Sequence, residues 1–254
     1  MTGTERTGGN PATIESFTVD CDGETLSCTA ARPVTDDRGA AGALTAVVLH
    51  GAGTSDRQRL TGLLGDVAAR GHHALAFDFS GHGDSTGLLA DSSLRRRFLQ
   101  ARAVIDGHVP ARHRLAVIGF SMSGQTVADL ARHYGAWVAS VGLCAPAVYA
   151  ADAWMTVPFG AGFTEIIRSP ESWRNSPALD VFRSLSCRAV LATPAADTVI
   201  PPAVTEAVAT ALGGSRARFT RLTYPDAEHR LALWFTGNPE PRGRFVDAVL
   251  RDAA

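Results

Sequence analysis

Apolar residues are grouped along this chain in blocks with two kinds of spacing. Short, mostly apolar runs predict buried strands, and longer segments with apolar residues at every third or fourth position predict helices. The predicted strands after residue 40 are 44–49, 74–79, 115–120, 138–143, 189–192 and 217–224. The predicted helices are 56–70, with Ser55 as its N-cap, and 92–105, 123–133, 202–212 and 242–251.

The segment before these strands has a different pattern. Residues 14–31 are strand-like on both sides of the turn signal Asp22-Gly23, which predicts an antiparallel hairpin. Strands that alternate with helices of this length pair in parallel, with helices on both faces of one sheet. The predicted fold class is therefore α/β, with a mostly parallel, doubly wound sheet and an N-terminal antiparallel hairpin.

Residues 147–186 interrupt the alternation of strands and helices. This stretch is rich in proline and aromatic residues, and it lies where an insertion would cover the C-terminal edge of the sheet. We therefore expect a single domain over residues 14–254 with a small cap insertion at about 147–186. Residues 1–13 are polar and rich in glycine and threonine, which predicts a flexible N-terminal arm.

The composition excludes several kinds of chemistry. A chain of 254 residues with a net charge of −1 is large enough for one full core, and it has no basic surplus for binding nucleic acid. All 24 basic residues are arginine, which excludes lysine Schiff bases and phosphate-loop lysines. The four cysteines have no CxxC spacing, so we predict no metal site, and no motif indicates a cofactor.

The location is predicted from what the N-terminal segment lacks. It has neither the basic part nor the apolar part of a signal peptide, and no apolar run reaches membrane-spanning length. We therefore expect a cytoplasmic protein without a membrane span. The sequence leaves the oligomeric state open.

The segment Gly119-Phe-Ser-Met-Ser-Gly124 has the strongest chemical signal. It indicates the end of an apolar strand, a tight turn with Ser121 at its tip, and the start of a helix. A serine at such a tip presents its hydroxyl to a cleft, as a nucleophile that attacks an acyl carbon must. Ser121 is therefore the predicted nucleophile, whereas Ser123 lies inside the first helical turn.

A serine nucleophile needs a base, and the base needs a carboxylate that fixes its tautomer. His229 and Asp197 each follow a late predicted strand, and the C-terminal ends of parallel strands meet at one edge of a sheet. We therefore predict His229 as the base and Asp197 as its acid. Asp226 and Glu228 are too close to His229 in sequence to orient it from behind.

The negatively charged oxygen of an acyl-transfer intermediate needs two N–H donors, which together form an oxyanion hole. One predicted donor is Met122, which follows the nucleophile. The other is expected in His50-Gly-Ala-Gly53, after the first parallel strand, where the glycines allow a close approach of the backbone. Ala52 is the candidate in that loop.

These motifs resemble the α/β-hydrolase superfamily over nearly the whole chain from the hairpin onward. His50–Gly53 resembles the oxyanion loop, and Gly119–Gly124 the nucleophile turn with its acid and base in the family's order. Residues 81–85, Gly-His-Gly-Asp-Ser, resemble a loop of esterase, lysophospholipase and aminopeptidase-like members. One departure is Ser123, where the family usually has glycine. The resemblance implies an α/β-hydrolase fold.

The resemblance also implies a serine hydrolase that cleaves an ester or thioester of a small-molecule acyl substrate. Two alternatives stay open: an acyltransferase or cyclising thioesterase of a biosynthetic pathway, with the same three residues, and a non-catalytic ligand-binding protein. We expect His82 and Asp84 to shape their loop, and Arg95–Arg97 to form a solvated helix face.

Overall fold

The computed structural model describes residues 12–34, 43–155 and 157–251. Its eight strands are β1 Ala12–Cys21, β2 Glu24–Pro33, β3 Leu44–Leu49, β4 His73–Phe77, β5 Arg114–Phe120, β6 Val138–Cys144, β7 Arg188–Ala196 and β8 Arg218–Glu228. They form one sheet in the order β1-β2-β4-β3-β5-β6-β7-β8. β1 and β2 form an antiparallel hairpin, β2 pairs antiparallel with β4, and all other pairs are parallel. The predicted fold class is confirmed.

Helices cover both faces of this sheet. They are α1 Thr61–Ala69, α2 Leu94–His108, α3 Ser123–Tyr134, α4 Ala151–Met155, α5 Phe163–Arg168, α6 Pro177–Ser184, α7 Pro202–Gly213, α8 Leu231–Gly237 and α9 Pro239–Leu250. Alternate residues of β3 enter two separate apolar clusters: Val47 packs with α2, α3, α6 and α7, and Val48 with α1, α8 and α9. Both faces of the strand are therefore buried, as a parallel sheet requires.

Two details of the helices differ from the sequence prediction. The segment predicted as one helix over 56–70 begins with a 3₁₀ turn, Arg57–Leu60, before α1. Its N-cap is Asp56 rather than Ser55, because Asp56 Oδ1 accepts a hydrogen bond from the Arg59 N–H at 3.2 Å. The helix α8, which begins only two residues after His229, was not predicted.

Two predicted segments lie outside the alternation of strands and helices: the N-terminal arm and the insertion. The predicted arm, residues 1–13, lies outside the described residues except for Ala12 and Thr13, which begin β1. Within the predicted insertion, α6 packs into the main core through Phe182, whereas α4 and α5 belong to a smaller apolar cluster. In the ranges described above, no helix is both long and apolar enough to cross a membrane.

Candidate active site

Ser121 lies at the tip of a sharp turn between β5 and α3. Its φ of 50° is in the left-handed region that non-glycine residues rarely adopt. The Ser121 N–H donates to the Cys144 carbonyl, and the Ser121 carbonyl accepts from the N–H groups of Gly124 and Ala147, each at 2.9 Å. The surrounding backbone thus holds a strained conformation of the kind that clusters at functional sites.

Two glycines allow the backbone of this turn to pack closely. A Cβ on Gly119 would lie 2.5 Å from Val127 Cγ2, and one on Gly124 would lie 2.7 Å from the Ala147 carbonyl oxygen. Any side chain at either position would therefore displace its neighbours. The close packing of the turn therefore depends on glycine at positions 119 and 124.

Ser123, the departure from the family pattern, is wholly buried beneath the loop that follows β3. Its Oγ donates to the His50 carbonyl oxygen at 2.6 Å and accepts from Arg97 Nη2 at 2.9 Å. Arg97 Nη2 also donates to the same carbonyl, at 2.7 Å. The serine hydroxyl therefore joins α3 to both the β3 loop and α2.

The expectation of a solvated face is wrong for Arg97. Its side chain is 0% exposed, and its guanidinium carbon lies 3.6 Å from the ring centroid of Phe79. Burial lowers the pKa of Arg97 to about 9. The sequence holds a signal for this burial, because Arg97 lies three residues after Leu94 and four before Ala101, on the apolar face of α2.

The register of β7 and β8 brings Asp197 and His229 together. The last residues of the two strands, Ala196 and Glu228, are paired, so the acid and the base each follow a paired residue. His229 Nδ1 lies 3.0 Å from Asp197 Oδ2, and His229 Nε2 lies 2.9 Å from Ser121 Oγ. The three residues predicted as nucleophile, base and acid form one hydrogen-bonded chain.

The second carboxylate oxygen of Asp197 is also held by hydrogen bonds. Its Oδ1 accepts from the N–H groups of Val199 and Ile200, both at 2.9 Å. A carboxylate can only accept, so His229 Nδ1 holds the ring proton and Nε2 is left to accept from the serine hydroxyl. The two acidic side chains beside His229 in sequence are exposed and make no hydrogen bond to it in the described part of the chain.

The loop His50–Gly53 lies directly against Ser121, the predicted nucleophile. A Cβ added to Gly51 would lie 3.2 Å from the Cβ of Ser121, which is closer than most side-chain contacts. The N–H groups of Ala52 and Met122, the predicted oxyanion donors, have no acceptor among the described residues. Both are therefore free to donate to an oxygen atom of a bound substrate.

His50 fixes the orientation of this loop, a role that the sequence did not reveal. The Phe79 N–H donates to His50 Nε2 at 3.0 Å, so the ring proton is on Nδ1, which donates to the Gly51 carbonyl at 2.6 Å. Burial, helped by the charge of Arg97, holds the pKa of His50 well below its usual value, and the ring stays neutral. The Gly51 carbonyl and the Ala52 N–H belong to one trans peptide, so fixing the first directs the second the opposite way.

Comparison with known protein families covers most of the chain. A sequence model of the Alpha/beta hydrolase family matches residues 46–253. The chain belongs to the α/β-hydrolase family. Comparison with curated proteins finds no match.

Solved structures share the α/β-hydrolase fold at low sequence identity. An esterase from Pyrococcus furiosus is 18% identical, with a TM-score of 0.64 over 94% of this chain and 93% of its own. Est1E from Butyrivibrio proteoclasticus, bound to ferulic acid, is 15% identical, with a TM-score of 0.65 over 87% and 98%. The thioesterase domain of the curacin biosynthetic pathway is 13% identical, with a TM-score of 0.66 over 92% and 99%. These likenesses confirm the predicted fold.

A buried ion-pair network holds the loop after β4 of this α/β-hydrolase. Arg57 pairs with the wholly buried Asp78 and, at 2.9 Å, with Asp84 Oδ2. The Asp84 N–H donates to Asp78 Oδ2 at 3.0 Å, and His82 Nδ1 lies 3.1 Å from the Ser80 carbonyl. His82 therefore contacts its own loop, and Asp84 connects that loop to the 3₁₀ turn through Arg57.

The insertion packs against the side chains of Ala52 and Met122, the two predicted oxyanion donors. The smaller apolar cluster contains Leu94, Met122, Ala153 and Phe163, with Ala52, Tyr149, Trp154, Val157, Phe159, Ile166 and Ile167 against it. Trp154 Nε1 donates to Asp129 Oδ2 on α3 at 2.7 Å. Burial raises the pKa of Asp129 to about 6 despite that hydrogen bond. The insertion is thus attached to the helix that follows the nucleophile.

A cavity of about 140 Å³ opens beside Ser121. The loop 51–55 and residues 229–233 line it, together with Arg59, Phe120 and Cys144. A wider depression of about 820 Å³ lies around the N-terminal ends of β5, β6 and β8 and contains none of the three predicted catalytic residues. Among the described residues, no group of three or more His, Cys, Asp or Glu side chains could hold a metal ion.

Proposed function

We propose that this α/β-hydrolase is a serine hydrolase that cleaves a carboxylic ester or thioester of a small molecule. The observation that supports this most strongly is the hydrogen-bonded chain from Asp197 through His229 to the Ser121 hydroxyl. A protein that only bound ligands would need neither this chain nor a strained serine with two free N–H donors beside it.

The reaction proceeds through an acyl-enzyme on Ser121. His229 Nε2 takes the hydroxyl proton as Ser121 Oγ attacks the carbonyl carbon, and the N–H groups of Ala52 and Met122 bind the resulting oxyanion. The imidazolium, stabilised by Asp197, then gives its proton to the leaving alcohol or thiol. Water attacks the acyl-enzyme with His229 again as base, and the acid departs.

The proposal includes both esters and thioesters because of the structural relatives. An esterase and a thioesterase domain share the fold at similar TM-scores, so both bonds belong in the proposal. The aromatic side chains of the insertion pack against Met122 and Ala52, beside the position of the reacting carbonyl. An apolar part of the substrate would lie against them, as in most small-molecule sites.

Intact-mass spectrometry after treatment with a fluorophosphonate tests the proposal. We expect one adduct, located on Ser121, and none on the Ser121→Ala variant. Hydrolysis of a panel of p-nitrophenyl esters and acyl thioesters by the wild-type protein, and not by the variant, would follow. A folded wild-type protein that forms no adduct, or a variant that still forms one, would contradict the proposed mechanism.

A further inference from the structure

The cavity beside Ser121 is small. Its volume of about 140 Å³ equals that of about five water molecules, at ~30 Å³ each in the liquid. It therefore fits a group of about five non-hydrogen atoms next to the reacting carbonyl.

The cavity is also positively charged. Arg59 and Arg230 both line it, and no aspartate or glutamate does. Neither guanidinium makes a hydrogen bond or an ion pair within the ranges that the structure describes. Arg57, only two residues before Arg59, differs in pairing with two carboxylates.

The two arginines come from different segments of the chain. Arg59 belongs to the 3₁₀ turn that follows the oxyanion loop, and Arg230 directly follows the base His229. Arg59 is half-buried and Arg230 is exposed. A guanidinium presents N–H donors in a planar fork that matches a carboxylate, so the cavity offers two such donors without an internal partner.

We propose that the substrate carries a carboxylate within about five non-hydrogen atoms of its reacting carbonyl, and that Arg59 and Arg230 bind it. This inference rests on the proposed function, because Ser121 defines where the carbonyl lies. The acyl group of a short dicarboxylic acid, with two methylenes and a carboxylate beyond the carbonyl, fits the volume.

Two matched ester pairs test this inference. They also show whether the carboxylate belongs on the acyl chain or on the leaving group of the substrate. Methyl butanoate and monomethyl succinate differ only by a carboxylate in place of the terminal methyl of the acyl chain. Phenyl acetate and 3-acetoxybenzoate place the carboxylate on the leaving group instead. At low salt, where screening is weak, we expect kcat/KM for the charged member of one pair to exceed that of its neutral member by about tenfold or more.

Single variants assign the preference to residues. Arg59→Gln and Arg230→Gln should each lower the preference for the charged ester, expressed as the ratio of its kcat/KM to that of its neutral partner, by about fivefold or more. Arg95→Gln, which removes an exposed arginine that does not line the cavity, is the matched control and should leave this ratio unchanged. A loss that is equal for charged and neutral esters would overturn the inference.

Calorimetric binding to Ser121→Ala separates this inference from the proposed function. Tighter binding of a charged ester than of its neutral partner, lost on adding Arg59→Gln, supports the carboxylate site whether or not any ester is hydrolysed. Equal binding and equal kcat/KM within both pairs would overturn the site and leave the serine hydrolase intact. Failure of the fluorophosphonate reaction would instead overturn the hydrolase.

Discussion

Replacing Ser123 with alanine should destabilise the protein by about 2 kcal/mol. The hydroxyl accepts from the charged Arg97 Nη2 at 2.9 Å and donates to the His50 carbonyl at 2.6 Å. A hydrogen bond to a charged group contributes about 1.5–3 kcal/mol and a neutral one about 1. The whole sum is not lost, because Arg97 still donates to His50. In a chain of this length, 2 kcal/mol lowers the melting temperature by about 4–8 °C.

Equilibrium urea unfolding measures this change, with Ser140→Ala as the matched control. Ser140 is wholly buried on β6, and its hydroxyl has no partner among the described residues. Its removal should therefore leave stability unchanged or raise it. In an Arg97→Met background, Ser123→Ala should cost only about 1 kcal/mol, because the charged bond is already gone. A cost below about 0.5 kcal/mol in the wild type, or an equal cost in both backgrounds, would refute the reasoning.

Three further predictions concern the site and its supports. Asp197→Asn should lower kcat for a p-nitrophenyl ester by about 10³–10⁴-fold, because the amide favours the wrong tautomer of His229. Burial raises the pKa of Asp129 from 3.8 to about 6, so the folded state favours its protonated form. Asp129→Asn should therefore gain about 3 kcal/mol of stability relative to the wild type as the pH rises from about 4 to about 8, and urea unfolding at the two pH values measures this gain. Gly124→Ala should cost about 1–3 kcal/mol in thermal unfolding, whereas Gly107→Ala, with nothing within 4 Å of the added methyl, should not destabilise the protein.

One result would contradict each of these three predictions. Near-wild-type turnover of Asp197→Asn would direct attention to Asp226 or Glu228 as the acid. A stability difference for Asp129→Asn that stays constant with pH would mean that this carboxylate titrates normally. A Gly124→Ala variant as stable as Gly107→Ala would contradict the close packing of the turn around Gly124.

The parts of the fold that the sequence predicted are those set by local patterns. The buried strands and the helices between them follow from the spacing of apolar residues, and that spacing depends only on the geometry of each element. The chemistry at strand ends was predicted for a similar reason. Parallel strands bring their C-terminal ends to one edge, so the placement of Ser121, Asp197 and His229 near each other could be expected from topology alone.

The parts that the sequence did not predict depend on contacts between distant segments. Arg97 was assigned to solvent because of its charge, yet its burial depends on the Ser123 hydroxyl and the His50 carbonyl, which are far away in sequence. The orienting role of His50 likewise depends on the Phe79 N–H from another strand end. Neither partner can be inferred from the residues around Arg97 or His50.

The pairing of β7 with β8 has a consequence for how this chain tolerates insertions and deletions. Pro194 pairs with Tyr224 and Ala196 with Glu228, so two steps along β7 match four along β8. This irregularity places the acid and the base level with each other. Each residue added to or removed from a strand shifts the later residues of that strand by about 3.3 Å and turns them to the other face. We therefore expect length changes that preserve activity to lie outside these two strands, with the spacing from the paired residues to Asp197 and His229 unchanged.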